Sequence, residues 1–289
     1  MRSRMLLGGF ALPGAAFFLC FFLLPLGVVV LESASEGIAA YRRVFDDPAF
    51  WAGLRGTLVL GTLAPLFSLF VGTLVARHLV SLPESRRVPL LLAISLPLTF
   101  SGLIVAYGFI LVFGRSGIVT LSLAALGGDP ATIGGFIFSP AGLGFAYAYY
   151  LIPRVVMLML PVLANFDYAQ MQAAESLGAS RLRAVLEVML PQILPALVMT
   201  YSVVAAVAIG AYGTALALVG TQVAILPLVL YSKISETGSD FPAAAAASVI
   251  LMGLCCLVIL LAELTAHRRR CQAAMAQRQG AAERNRYAA

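Results

Sequence analysis

The chain of 289 residues is 61% hydrophobic and only 11% charged, and its formal net charge is +6. A soluble fold of this length needs far more charged surface, so the composition excludes soluble enzymes and binding modules and predicts a polytopic membrane protein. The cysteines form no CxxC motif, and three of the four, Cys20, Cys255 and Cys256, lie in apolar runs. This pattern favours apolar packing over metal binding or disulfide formation.

Six apolar runs are long enough to cross the hydrocarbon core, which takes about 20 helical residues. In chain order they cover residues 5–31, 56–76, 88–113, 142–163, 193–219 and 243–262. The fourth is expected to be interrupted at Pro153-Arg154. The first is too long for a signal peptide and is expected to be retained as a span. The sequence therefore predicts an all-α fold, with one six-span domain over residues 1–266 and a disordered basic tail over residues 267–289.

The basic residues predict the orientation of the spans, because Lys and Arg accumulate on the cytoplasmic side. With the N-terminus inside, the cytoplasmic segments hold thirteen of these residues and the outer segments hold five. Both termini are therefore expected in the cytoplasm, as is the segment 165–191. The basic balance is explained by topology and by lipid headgroups at the tail, without nucleic acid. The carboxylates of the first outer segment are expected either to be solvated or to contact a soluble delivery protein; they are Glu32, Glu36, Asp46 and Asp47.

The segment 165–191 is a polar stretch between the fourth and fifth spans. Asp167 and Gln170 have the spacing of a capping box, which predicts a helix from Tyr168 to Leu177. Gly178 follows at the position where a left-handed residue ends a helix. Ser180 is expected to cap a second, amphipathic helix lying along the membrane or the bundle edge, with one apolar face composed of Leu182, Val185, Leu186 and Met189. Pro191 then marks the entry to the fifth span.

This segment resembles the EAA loop of permease subunits of type I ATP-binding-cassette importers. The family pattern is E-A-A, three residues, G, nine residues and I-x-L-P; the positions that match it are Ala173, Ala174, Gly178, Leu190 and Pro191. Two positions depart, since Gln172 replaces Glu and Val188 replaces Ile. Gln172 loses a charge but keeps hydrogen-bonding groups, which puts an ion pair at this position in doubt and leaves docking possible.

The resemblance implies a coupling helix that docks on a cytoplasmic ATPase. The residues it assigns to coupling are Gln172, Ala173, Ala174, Glu175, Leu177, Gly178, Leu190 and Pro191. The implied partners are a dimer of ATP-binding subunits, a second permease (an identical or a sister chain) and an extracytoplasmic solute-binding protein, in a bacterial inner membrane. ATP and Mg would be used by the partner, so no enzyme activity and no bound cofactor or metal are expected in this chain. The sequence contains no G-x-x-x-x-G-K-[ST] run.

Two stretches, 106–109 and 213–220, are similar to permeases for polyamines, ferric iron, thiamine and aminoalkylphosphonates. The similarity implies a small cationic or zwitterionic solute. The candidate pathway residues are Arg154, Tyr150, Tyr201, Tyr212 and Thr214. Intramembrane arginine is costly and commonly faces a wet cavity, where it would meet a substrate anion, or alternatively it snorkels to the interface. The tyrosines and Thr214 either line the pathway or pack between helices.

Two other classes of membrane protein are compatible with six spans. An ion-coupled secondary transporter would use buried carboxylates, yet none of the predicted span cores contains Asp or Glu, and Glu263 falls just past the sixth. An intramembrane enzyme would need paired carboxylates, a Ser/His arrangement or a zinc motif. The chain has only two histidines and no HExxH run. The sequence therefore favours the importer permease over both alternatives.

Overall fold

A computed structural model describes residues 13–287 apart from 15, 221 and 236–239, with side chains described as far as Thr265. Throughout this part of the chain the ordered elements are helices and no strand occurs, which confirms the predicted all-α class. Six helical segments of the described chain are long and apolar enough to cross a membrane: Ala16–Ala34, Pro48–Val80, Gly102–Ala124, Pro140–Ala164, Arg181–Ile209 and Phe241–Thr265. Their number agrees with the sequence prediction.

The α-helices are numbered here in chain order, and short 3-10 and π turns connect some of them. They are α1 Leu24–Ala34, α2 Ile38–Asp46, α3 Pro48–Val80, α4 Glu84–Ser95, α5 Gly102–Phe113, α6 Ile118–Ala124, α7 Pro130–Gly135, α8 Pro140–Ala164, α9 Ala169–Ser176, α10 Arg181–Ala184, α11 Leu190–Ile209, α12 Gly213–Val219, α13 Leu226–Ser235 and α14 Phe241–Tyr287.

The third and fifth predicted spans are broken in the structure. Between α4 and α5 the chain forms a 3-10 turn, Leu96–Thr99, and then becomes extended at Phe100 and Ser101. Ser101 caps α5, since its hydroxyl accepts from the Ile104 amide at 3.5 Å. The fifth span ends at Ile209, and α12 begins only at Gly213. The predictions of continuous spans over 88–113 and 193–219 were therefore wrong in continuity, because apolar composition does not reveal a local cap or break.

The fourth span is continuous where the sequence predicts a break. The sequence predicts an interruption at Pro153-Arg154, but α8 continues from Pro140 to Ala164 with Pro153 inside it. Proline removes one intrahelical hydrogen bond, and membrane helices tolerate this loss where neighbouring helices pack around it. Pro153 is buried, as are its neighbours Leu151 and Val155.

The sixth span extends beyond its predicted end. The backbone of α14 is helical to Tyr287, so the prediction of a disordered tail over residues 267–289 differs from the structure as far as Tyr287.

The first predicted span begins at residue 5, and its residues 5–12 lie outside the described part of the chain, as do the arginines at positions 2 and 4.

The chain divides into two compact units. The first contains Met1–Gly56 and Ala224–Leu254, with Val44, Phe50 and Leu226 in its core. Ion pairs tie its helices together: the Arg43 guanidinium contacts Glu36 at 2.6 Å and Asp240 at 2.7 Å, and Lys233 Nζ contacts Asp47 at 2.6 Å. Glu36 and Asp47 are therefore paired within the unit, which corrects the expectation of solvated carboxylates at these two positions.

The second unit contains Thr57–Val223 and Cys255–Ala289, and α8 is its most buried helix. One stripe of α8, with a residue at every fourth position, is almost completely buried: Leu143, Tyr147, Leu151, Val155, Met159 and Leu163. This spacing places the stripe on one face of the helix. Helix α8 packs against α11, and α5 packs against α12. At Gly72 an added Cβ would lie 2.7 Å from Val155, so glycine permits α3 to cross α8 closely.

Candidate functional site: a polar loop and a cavity between helix breaks

The loop between the fourth and fifth spans begins with a short capped helix. The Asp167 carboxylate accepts from the Ala169 amide at 3.1 Å, and α9 runs from Ala169 to Ser176. The Gln170 side chain donates to the other oxygen of Asp167 at 3.4 Å. The predicted capping box is therefore only half formed, because Gln170 contacts the carboxylate and not the backbone amide of Asp167. The helix is one residue shorter at each end than predicted.

Gly178 ends α9 in the left-handed conformation, with a φ of +94°, as the sequence predicts. The Gly178 amide donates to the Glu175 carbonyl at 3.0 Å, and the Ala179 amide donates to the Ala174 carbonyl at 3.1 Å. This pair of bonds is the Schellman arrangement, which satisfies two carbonyls at the helix end. The turn after α9 is therefore defined by backbone hydrogen bonds.

The second loop helix is the beginning of the fifth span. Ser180 caps α10 as predicted, with its hydroxyl accepting from the Arg183 amide at 3.3 Å. A π turn, Val185–Met189, then connects α10 to α11 without a break. The predicted separate amphipathic helix is therefore wrong. Its predicted apolar face is also divided, since Met189 is buried whereas Leu182 is 70% exposed.

The exposed surface of α9 and its turn, which we call the loop surface, contains most of the predicted coupling residues. Its exposed members are Gln172, Ala173, Glu175, Leu177 and Gly178, and Ala174 is half-buried. Leu177 is 90% exposed, so a docking partner would remove most of this apolar side chain from water. On the other side of α9, Met171 is buried and anchors the helix.

Leu190 and Pro191 lie in the first turn of α11, where Leu190 is half-buried and Pro191 is exposed. The adjacent Gln192 side chain donates to the Gln170 side chain of α9 at 2.7 Å. Helix α9 is therefore linked to the first turn of α11 by a direct hydrogen bond, which no sequence pattern indicates.

A cavity of about 310 Å³ lies where the two helix breaks meet α8. Three of the five predicted pathway residues line it, namely Tyr150, Arg154 and Thr214, whereas Tyr201 and Tyr212 do not. The remaining lining residues are apolar or glycine: Pro97, Leu98, Phe100, Gly102, Val105, Val207, Gly210, Ala211 and Gly213. We call this space the break cavity.

Arg154 is half-buried and lies ten residues before the end of α8 at Ala164. At about 1.5 Å per residue, it is about 15 Å from the loop end of the helix, which is near the middle of a 30 Å hydrocarbon core. Nearby, the Tyr147 hydroxyl donates to the Ala211 carbonyl at 2.9 Å and so binds the break of the fifth span to α8. The cavity is therefore lined by a positive charge in the interior of an apolar helix of span length.

A second cavity, of about 740 Å³, lies at the other ends of α5 and α12. Its lining includes Arg115, Ser116 and Gln222. No sequence motif predicts a site at these residues. Arg115 directly follows Gly114 at the end of the third predicted span, and this position is the only sequence signal that marks it.

Comparisons with known proteins agree with this architecture. Residues 68–270 match the family described as "Binding-protein-dependent transport system inner membrane component". The sulfate transport system permease protein CysT of Escherichia coli (strain K12) is 29% identical over 258 residues, covering 87% of this chain and 90% of that protein. The putative 2-aminoethylphosphonate transport system permease protein PhnU of Salmonella typhi is 26% identical over 252 residues, covering 86% and 87%.

A crystal structure of a bacterial alginate ABC transporter, in complex with a periplasmic protein bound to alginate pentasaccharide, contains a chain of the same fold. Its TM-score is 0.76 at 20% identity, and the match covers 92% of this chain and 96% of that one. The family match includes the loop surface and the break cavity and extends over most of the sequence. The chain therefore belongs to the binding-protein-dependent inner membrane components and is a permease subunit of a type I ABC importer.

Proposed function

We propose that this chain forms half of a translocation pathway and that its loop surface docks on a cytoplasmic ATPase. The orientation follows the positive-inside rule, with thirteen basic residues on the loop side against five on the other. The second half of the pathway is another permease, identical or related, and an extracytoplasmic protein delivers the solute. ATP and Mg bind to the ATPase partner and not to this chain.

The 90% exposed Leu177 is the observation that carries this proposal. It lies between small side chains and a turn held by two backbone hydrogen bonds, so a partner can approach closely and meet a defined shape. An apolar side chain that projects from a polar loop is stabilised when a partner pocket removes it from water. Gln172, at the position of the family glutamate, supplies hydrogen-bonding groups without a charge.

The solute class is proposed from the cavity and the relatives together. Sulfate and 2-aminoethylphosphonate, which the names of CysT and PhnU specify, both contain a tetrahedral oxyanion group. The break cavity contains the guanidinium of Arg154, and its lining includes no Asp or Glu. We therefore propose a small anionic or zwitterionic oxyanion as the solute, in place of the purely cationic solutes included in the sequence expectation.

The experiment that tests the function is purification of the tagged chain from its native membrane in mild detergent, followed by mass spectrometry. We expect a subunit with a Walker-type ATP-binding motif to co-purify, together with any sister permease. Proteoliposomes containing the purified complex should then import solute only with ATP and the binding protein. A crosslinked homomeric preparation without an ATPase, importing solute in response to an ion gradient, would establish the secondary transporter instead.

A further inference from the structure

We infer that the break cavity is a binding site for a tetrahedral oxyanion, held by the Arg154 guanidinium, the Tyr150 hydroxyl and the N-terminal end of α5. This inference rests on the proposed function for the presence of a solute in the pathway. It adds the location of the site and the groups that bind the solute. Three independent features of the cavity support it.

The first feature is a charge without a partner. Among the described residues no side chain forms an ion pair or hydrogen bond with Arg154. A lone charge at this depth is costly and requires water, a backbone carbonyl or a counter-ion. Arg154 lies nearly three helical turns from the end of α8, too far to snorkel to the interface. An anion in the cavity would supply the missing charge.

The second feature is a buried hydroxyl with an unsatisfied donor. The Tyr150 hydroxyl is shielded from solvent and has no hydrogen-bond partner in the described structure, although the Thr214 side chain lies close enough to interact weakly. Burying a hydroxyl without a hydrogen bond is unfavourable. Tyr150 lies one turn before Arg154 on α8, so both residues are on the same face of the helix, and both line the cavity. An oxyanion accepts hydrogen bonds from both.

The third feature is the start of α5. This helix has 12 residues, and its first residue, Gly102, lines the cavity. The N-terminal end of a helix has unpaired N–H groups and a partial positive charge, both of which favour anions. Ser101 caps only one of these groups, that of Ile104. At Gly102 an added Cβ would clash with Thr214 Oγ1, so glycine allows the start of α12 to lie close to the start of α5.

A second helix end at the cavity adds selectivity. Gly210, at the C-terminal end of α11, also lines the cavity, and the carbonyl end of a helix favours cations. An aminoalkylphosphonate would therefore find a partner for each of its charges, whereas sulfate would use only the cationic side. Both probes share the oxyanion chemistry, and their relative affinities distinguish a sulfate site from a phosphonate site.

The inference is tested by binding of radiolabelled sulfate, and separately of 2-aminoethylphosphonate, to the complete transporter in nanodiscs without the binding protein. Because a hydrogen bond to a charged group contributes tenfold or more to affinity, Tyr150→Phe should weaken binding about tenfold, and Arg154→Gln about a hundredfold. Tyr149→Phe is the matched control, since Tyr149 is adjacent but outside the cavity lining, and it should bind as the wild type does.

Solute binding and ATPase co-purification are measured separately, because the first tests the oxyanion site and the second tests the proposed function. Co-purification of the ATPase with each variant reports on assembly and is expected to be unchanged. If the assembled wild-type transporter binds neither probe, or if Tyr150→Phe binds as well as Tyr149→Phe does, the oxyanion site is overturned while the importer function stands. If no ATPase assembles with the wild-type chain, the proposed function fails instead. Should Arg154→Gln fail to assemble, Tyr150→Phe still decides, because it removes one oxygen atom only.

Discussion

The side-chain amide of Gln192, at the start of α11, donates a hydrogen bond of 2.7 Å to the side-chain carbonyl of Gln170 in α9. The two residues are 22 positions apart, and the bond joins α9 to the fifth span. We expect this polar contact to couple α9 to α11 in addition to the covalent chain. The π turn Val185–Met189 lies between them in sequence, and π turns are frequent at functional sites.

Breaking this bond is expected to reduce coupling. Gln192→Leu should lower the transport produced per ATP hydrolysed by up to several fold, because a typical intramolecular hydrogen bond contributes about 0.5–1.5 kcal/mol. Transport and ATP hydrolysis are measured together in proteoliposomes. Gln170→Ala and the double variant complete the cycle, and the double variant should be no worse than either single one. Additive losses would show that the two side chains act independently.

At Gly178 the effect of a substitution is expected to depend only on how well the new residue adopts the left-handed backbone conformation. Nothing lies within 4 Å of a Cβ at this position, so the cost of a side chain is the left-handed backbone, about 1–2 kcal/mol for most residues. Gly178→Val should retain membrane insertion but uncouple ATP hydrolysis from transport, whereas Gly178→Asn should remain close to the wild type. The comparison uses transport and ATPase activity at matched expression. Equal transport by the valine variant would remove the turn from the coupling mechanism.

Leu177 is expected to affect docking without affecting the fold. Because its side chain is 90% exposed, Leu177→Asp removes almost no intramolecular packing and should leave the melting temperature unchanged. It should reduce the amount of ATPase that co-purifies by tenfold or more, as loss of a central apolar contact does. Leu126→Asp is the matched control, since Leu126 is 84% exposed on a different turn. Equal ATPase recovery from both variants would contradict docking at Leu177.

The Asp47–Lys233 pair predicts acid sensitivity of the first unit. Burial opposes the charged form of Asp47, but hydrogen bonds from Lys233 and the Ala49 amide outweigh it, and the pKa of this carboxyl is lowered. The stabilisation is therefore complete above the ordinary value of 3.8 and is lost as the pH falls through the lowered value. For a pair that is only partly exposed, we expect a contribution of about 1 kcal/mol.

This contribution is measured by thermal unfolding in detergent across the acid range. Lys233→Met should lower the melting temperature at neutral pH, and the difference from the wild type should shrink below the pKa of Asp47. Lys233→Arg should retain most of the stability. If Lys233→Met has the wild-type melting temperature at neutral pH, the ion pair contributes nothing to stability.

Some local features of the site were predictable because they depend on neighbouring residues. The left-handed turn at Gly178 and the cap at Ser180 follow from residue types at fixed offsets, and both are present. The break after Ser95 was not predictable, because Pro97 and Ser101 lie in a run that remains apolar overall. Likewise, a proline suggested an interruption at residue 153 that the packing around α8 removes.

The sequence by itself determined the protein class, the number of spans and the position of the loop surface. Hydrophobic run length reflects membrane thickness, and turn chemistry is local. Only the tertiary structure brought Tyr150, Arg154 and Thr214 to one cavity, whose lining does not include Tyr201 or Tyr212. Such proximity depends on where helices break and which faces pack together. Those choices arise from contacts between residues far apart in the chain, and neither composition nor periodicity encodes them.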